Sequence, residues 1–169
     1  MTANGKHDQF KLGFLEAIEL PDGGYVGGLL VTNRLGRPLE FQCTAPVRAN
    51  RTQEILYGPT LQPFLLTDLI GKTLVEKAGV KPELVLTENE SLLLLREQVS
   101  TPIASLQDTE TSTGFQLGRH RLRFHEGHTS DAETIQRKSH LVPQDANLRE
   151  PFERVREALQ EAIVAGGMK

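Results

Sequence analysis

Three arginines alternate along one short segment of the sequence, at Arg119, Arg121 and Arg123. If this segment forms a strand, alternate side chains point to the same face and the three guanidinium groups form a row. Guanidinium groups donate paired hydrogen bonds to phosphates and carboxylates. The row is therefore predicted to contact an acidic protein partner or the phosphates of a nucleic acid. A third interpretation is pairing with the chain's own acids, because residues 51–110 carry nine acidic residues against five basic ones.

A second group of arginines lies in predicted loops between residues 33 and 58. Ordered loops that carry Arg and Tyr are typical of recognition surfaces. We therefore predict that this group also contacts a partner, although ordinary loop connections beside a sheet would have the same composition. The predicted partner-binding residues in this stretch are Arg34, Arg37, Arg48 and Arg51.

Four of the five histidines lie between His120 and His140, and the spacing of His125 and His128 is that of a weak candidate metal site. These two side chains can converge only if the chain turns at Gly127. Catalytic zinc sites commonly use three protein ligands, and no H-E-x-x-H pattern supplies the others. We predict no metal, no cofactor and no catalytic residue.

Composition excludes several classes of protein. The single cysteine excludes a disulfide scaffold, and the net charge of -3 is too small for a histone-like binder. Aromatic residues make up only 5% of the chain and Trp is absent, which disfavours binding that relies on base stacking. No targeting segment or membrane span is predicted, so we expect a cytoplasmic protein that does not bind membranes and could form a homo-oligomer.

The hydrophobic pattern and the turn residues predict an α+β fold. It consists of an antiparallel sheet of about five or six strands packed against one long helix, with two C-terminal helices. The segment 91–99 is placed at the centre of the sheet because residues 92–95 are apolar on both faces. The predicted elements are strands at 10–20, 25–32 and 39–44, a helix at 60–78, strands at 83–87, 91–99 and 115–124, and helices that start near 130 and 147.

The chain length of 169 residues suits one domain. We predict a flexible tail at 1–9 followed by a single α+β domain at 10–169. Within that domain the core spans 10–106, a polar linker spans 107–113, and the C-terminal strand and helices span 114–169.

The leading functional hypothesis is a non-enzymatic binding or adaptor protein whose arginine-bearing surface contacts an acidic protein partner. The absence of any coherent catalytic set of residues motivates it. The alternative is a nucleic-acid-binding protein that uses the same arginine row. A histidine-metal hydrolase is the third hypothesis.

Overall fold

The computed structural model describes residues 9–107 and 115–166. Apart from Gln9 and Gln107, the predicted tail and linker lie outside the described residues. Within the described part of the chain, a mixed sheet of seven strands has helices on both faces, so the fold is mixed α+β. The strands are β1 (Leu12–Glu19), β2 (Tyr25–Thr32), β3 (Pro38–Cys43), β4 (Leu84–Thr87), β5 (Ile103–Leu106), β6 (Phe115–Leu117) and β7 (His120–Phe124).

The strand order is β3-β2-β1-β4-β5-β7-β6. β1, β2 and β3 form the predicted antiparallel meander. β4 instead pairs parallel with β1, and β5 pairs parallel with β4. β7 pairs antiparallel with both of its neighbours, β5 and β6. The prediction of a purely antiparallel sheet of five or six strands is therefore partly wrong. Helical segments carry the chain back across the sheet before β4 and before β5, and such crossovers produce parallel neighbours.

The segment predicted as a central strand at 91–99 is a 3-10 helix, Glu90–Glu97. The Asn89 side chain caps its first turn by accepting a hydrogen bond from Ser91 N at 3.0 Å. Leu92 and Leu95 are buried against the sheet. A short apolar run does not distinguish a buried strand from a buried helical turn by periodicity alone. The central position of the sheet is taken by β4, and its neighbour β5 is a strand that the sequence pattern had not indicated.

One face of the sheet is covered by the segment predicted as one long helix at 60–78, which is instead a succession of short helical segments, so that prediction is partly wrong. Gly27 of β2 lies beneath it, and a Cβ at this position would come within 2.1 Å of Ile70 Cγ2. The lack of a side chain at Gly27 therefore permits the close approach of helix and sheet. This layer contains α1 (Arg51–Tyr57), a 3-10 turn (Gly58–Thr60), α2 (Leu61–Phe64), a π-helix (Leu65–Gly71) and α3 (Lys72–Lys77).

The opposite face is covered by the C-terminal helices. Phe152, Val155 and Leu159 form the buried stripe of the last helix, and the Phe152 ring meets Phe14 of β1 edge to face at 5.4 Å. No helix in the described ranges is long and apolar enough to cross a membrane. The elements here are a 3-10 turn (Glu126–His128), α4 (Ser130–Gln136), a 3-10 turn (Ser139–Leu141) and α5 (Glu150–Gly166).

Candidate functional site

The arginine row lies along β7, near one end of the sheet. His120 and Leu122 are buried in the core beneath α5, so Arg121 and Arg123 point to the opposite face. Arg119 precedes the strand and lies in the turn between β6 and β7. Arg119 and Arg123 are exposed, whereas Arg121 is half-buried.

The turn before β7 fixes the position of the row. The predicted strand at 115–124 is a hairpin, because Gly118 has a φ of +56° that reverses the chain between β6 and β7. Arg119 donates its backbone N–H to Ala146 O at 3.1 Å and its Nε–H to Asp145 O at 2.8 Å. The loop before α5 therefore holds both the turn and the first arginine of the row.

Within the described part of the chain, Arg123 contacts acidic side chains only at long distances. Its guanidinium group lies 3.5 Å from both carboxylate oxygens of Glu90 and 3.4 Å from Glu126 Oε1. The side chains are 45%, 59% and 88% exposed for Arg123, Glu90 and Glu126. Surface ion pairs of this kind contribute at most about 1 kcal/mol. A stronger anionic ligand could therefore replace these carboxylates at small cost.

His125 and His128 do converge, with ring centroids 5.3 Å apart. His125 Nδ1 accepts a hydrogen bond from Gly127 N at 2.9 Å, so Nε2 carries the proton and donates to Glu97 Oε1 at 3.1 Å. Both ring nitrogens of His125 are therefore engaged. Among residues 9–107 and 115–166, no three His, Cys, Asp or Glu side chains are grouped so that they could hold a metal ion.

His120 has a structural role on the buried face of β7. Its Nε2 accepts a hydrogen bond from Leu148 N at 3.0 Å, which ties the strand to the loop before α5. Burial lowers the pKa of His120, and the positive charge of Arg149 lowers it further. The imidazole is therefore held in its neutral form.

The four remaining predicted arginines do not join the row. Arg34 and Arg37 lie in the turn that follows β2, whereas Arg48 and Arg51 follow Val47, which pairs with the first residue of β2. β2 is eight residues long, so these two pairs are separated by about 23 Å along the strand. β7 is four strands away from β2, a further distance of about 19 Å across the sheet. The seven arginines thus form three separate groups.

Two of these loop arginines contact residues that are distant in the sequence and so connect separate parts of the fold. Arg34 donates to Leu141 O at 3.1 Å. Arg48 forms an ion pair with Asp22. The backbone N–H of Gly24 and then the Arg48 guanidinium lower the pKa of the Asp22 carboxyl group.

Sequence reasoning missed a cluster of two carboxylates and two guanidinium groups, which we call the Glu16–Glu88 cluster. Glu16 lies in the middle of β1, just beyond the residues that pair with β4, and Glu88 directly follows β4, so the two lie on neighbouring parallel strands. Arg156 Nη1 donates to Glu16 Oε2 at 2.7 Å and to Glu88 Oε1 at 3.0 Å. Arg149 Nη1 donates to Glu88 Oε2 at 2.7 Å. The cluster therefore ties α5 and its preceding loop to the sheet.

The electrostatics of the cluster show competition between burial and ion pairing. Burial raises the pKa of Glu16, although Ala17 N–H and Arg156 partly oppose it. Burial also acts to lower the pKa of Arg156, but hydrogen bonds to Glu88 and Glu16 outweigh it and raise that pKa. The sequence did carry one signal, since Arg149 and Arg156 are seven residues apart and so share one side of the α5 region.

A cleft of about 540 Å³ adjoins the end of the arginine row. The rings of Phe115 and Phe124 meet edge to face in its wall, with centroids 5.6 Å apart and planes at 84°. Leu122 and Ala132 add apolar surface, and Arg123 also lines the cleft. The cleft thus combines partly exposed aromatic surface with a guanidinium group.

No family model matches this sequence, and the search of curated proteins finds no match. Among solved structures, the chain is similar to the crystal structure of endonuclease V from Ciona intestinalis in complex with a 23mer DNA containing an inosine followed by a ribo-adenosine. The similarity covers 95% of this chain and 96% of that chain, with 10% sequence identity and a TM-score of 0.48. At 10% identity and a TM-score of 0.48, this likeness assigns no family, function or residue role to this chain.

The prediction of a non-enzymatic adaptor that contacts an acidic protein partner is wrong. The similar solved structure is an endonuclease V in complex with DNA and not an adaptor.

Proposed function

We propose that the protein binds nucleic acid through the phosphate backbone, with Arg119, Arg121 and Arg123 as the contact surface. The observation that carries this proposal is the row itself, whose first and last members are exposed. Alternate residues on a strand are about 6.6 Å apart, which is the spacing of Arg121 and Arg123 on β7, and Arg119 adds its charge from the preceding turn. Phosphates of one DNA strand follow each other at about 3.4 Å along the helix axis. Arg121 and Arg123 therefore lie far enough apart to contact two different phosphates, and Arg119 is available for a further one.

The weakness of the internal contacts of Arg123 favours exchange for a phosphate. A guanidinium group and a phosphate form short, charge-assisted hydrogen bonds, often two in parallel. The contacts of 3.4 and 3.5 Å to Glu126 and Glu90 are longer and exposed to solvent. We expect these two acids to compete with the phosphate and to moderate the affinity.

The test is a fluorescence-anisotropy titration of a labelled oligonucleotide at several salt concentrations. Arg123→Gln is expected to weaken binding and to reduce the slope of log affinity against log salt by about 0.7 to 0.9, the contribution of one phosphate contact. Arg51→Gln is the matched control, because it removes the same charge from an 81% exposed side chain outside the row.

Binding that falls with rising salt, with Arg123→Gln weaker than Arg51→Gln, supports the proposal. Absence of binding at low salt overturns it. Equal weakening by the two variants also overturns it, because that result would reflect net charge rather than the row.

The domain division and a homo-oligomeric state also stay proposals. Limited proteolysis should cut within 1–9 and 107–113 and leave the core 10–106 intact. Sedimentation of the purified chain measures its oligomeric state directly.

A further inference from the structure

The arginine row and the aromatic cleft meet at the end of β7. Arg123, Phe124, His125 and Glu126 line the cleft of about 540 Å³, and the same four residues line a second cleft of about 240 Å³. The second cleft contains Glu90, the carboxylate that Arg123 faces. The end of the strand is therefore a junction between the charged surface and the aromatic surface.

The walls of the larger cleft have the chemistry that accepts a planar ring. Phe115 and Phe124 are half-buried and both line the cleft, while Leu122 is buried. The rings are nearly perpendicular, and a ligand that covers the face of one therefore meets the edge of the other. A volume of about 540 Å³ lies in the range of small-ligand pockets, which is roughly 300 to 1,000 Å³.

The positive charge of Arg123 favours planar ligands that also carry a negative charge. Arg123 lines the same cleft as Phe115 and Phe124, so a ligand that contacts all three carries a planar ring beside an anionic group. A nucleotide of a single strand has this arrangement, because its base is free to stack and its phosphate lies next to it. The bases of a duplex are stacked on one another, and their faces are not accessible.

We propose that the protein prefers single-stranded to duplex nucleic acid, and that one unpaired base stacks in the Phe115–Phe124 cleft while Arg123 contacts the adjoining phosphate. This inference rests on the proposed function and adds the substrate class. Binding of this type tolerates different bases, since every base has a face that can stack.

The experiment compares three labelled probes of roughly 15 nucleotides, near the upper site size of single-strand-binding folds. They are single-stranded DNA, the duplex of the same sequence, and an abasic oligomer that keeps every phosphate and lacks every base. Base stacking contributes about 1 to 3 kcal/mol per base, so the abasic probe should bind about 5- to 140-fold more weakly than single-stranded DNA. The duplex should also bind more weakly.

The variants separate the ring from the charge. Phe124→Leu should weaken binding of single-stranded DNA about 5-fold or more and leave duplex binding unchanged, and Phe124→Tyr should restore it because the ring is kept. Phe41→Leu is the matched control, since Phe41 is 37% exposed on β3 at the opposite edge of the sheet. Circular dichroism checks that each variant folds.

The outcomes distinguish the two proposals. If the three probes bind equally and Arg123→Gln still weakens them, the cleft inference is overturned and the proposed function stands. If Phe124→Leu weakens single-stranded and duplex DNA alike, the ring only supports the row and the inference is overturned. If no probe binds, both proposals fail.

Discussion

Replacing Arg156 with Met tests the electrostatic description of the Glu16–Glu88 cluster. The substitution removes the guanidinium group that bridges Glu16 and Glu88 while keeping an aliphatic side chain of similar reach. Removing one partner of a buried ion pair costs about 3 to 5 kcal/mol. Because the Arg156 side chain is 39% exposed, water replaces part of the lost interaction, and we expect a loss of about 2 kcal/mol. For a chain of this size that corresponds to a melting temperature lower by about 4 to 8 °C.

The loss should depend on pH in a defined direction. Burial already raises the pKa of Glu16 above its ordinary value of 4.5, and Arg156 opposes that rise. Without Arg156 the pKa of Glu16 rises further, so the folded state binds this proton more tightly than the unfolded state. Stability then falls as the pH rises through the window between 4.5 and the folded-state pKa. Below 4.5 the carboxyl group is protonated in both states and this penalty disappears.

The assay is urea unfolding of the wild type, Arg156→Met, Glu16→Gln and the double variant, at neutral pH and near pH 4.5. The double variant should recover part of the lost stability, because the carboxylate without a partner is gone. Arg51→Met is the control, since its pair with Glu54 is exposed. A loss for Arg156→Met no larger than that for Arg51→Met, or a loss equal at both pH values, refutes the reasoning.

Three further predictions concern single side chains. Glu126→Gln should increase the affinity for single-stranded DNA by up to about 5-fold, because it removes a carboxylate that competes for Arg123. Fluorescence anisotropy that shows equal or weaker binding by this variant would contradict the competition. Gly118→Ala should lower the free energy of unfolding by more than Gly23→Ala, since both glycines have positive φ but only at Gly118 would a Cβ approach a backbone oxygen, at 2.7 Å. The buried, neutral His120 should titrate by NMR with a pKa below its ordinary value of 6.5. The free energy of unfolding should therefore decrease as the pH falls through 6.5, because the unfolded state takes up the proton first. A measured pKa above 6.5 would contradict the burial of this side chain.

The local parts of the fold could be predicted from the sequence. The meander β1–β3 followed from alternating side chains and short turns, and the stripe on α5 followed from residues three, four and seven apart. The position of β4 beside β1 could not be predicted, because it depends on how the helical segment crosses the sheet. The run at 92–95 was assigned to the wrong class of element for the same reason, since its burial is set by its neighbours.

The candidate site could be predicted only in part. The spacing of Arg121 and Arg123 correctly indicated a shared face of a strand, but their contacts depend on the distant residues that pack beside them. The low aromatic content disfavoured base stacking, yet the fold places Phe115 and Phe124 together beside Arg123. Glu16 and Glu88 are separated by most of the meander and the helical layer, and only the parallel pairing of β1 and β4 brings them together.

The most direct test of the central claim is the salt dependence of single-stranded DNA binding by the wild type, Arg123→Gln and Arg51→Gln. The arginine row predicts affinity that falls as salt rises, with a slope reduced by about 0.7 in Arg123→Gln and by less in Arg51→Gln. Binding that is absent at low salt, or slopes that are the same for the wild type and Arg123→Gln, would contradict nucleic-acid binding by this row.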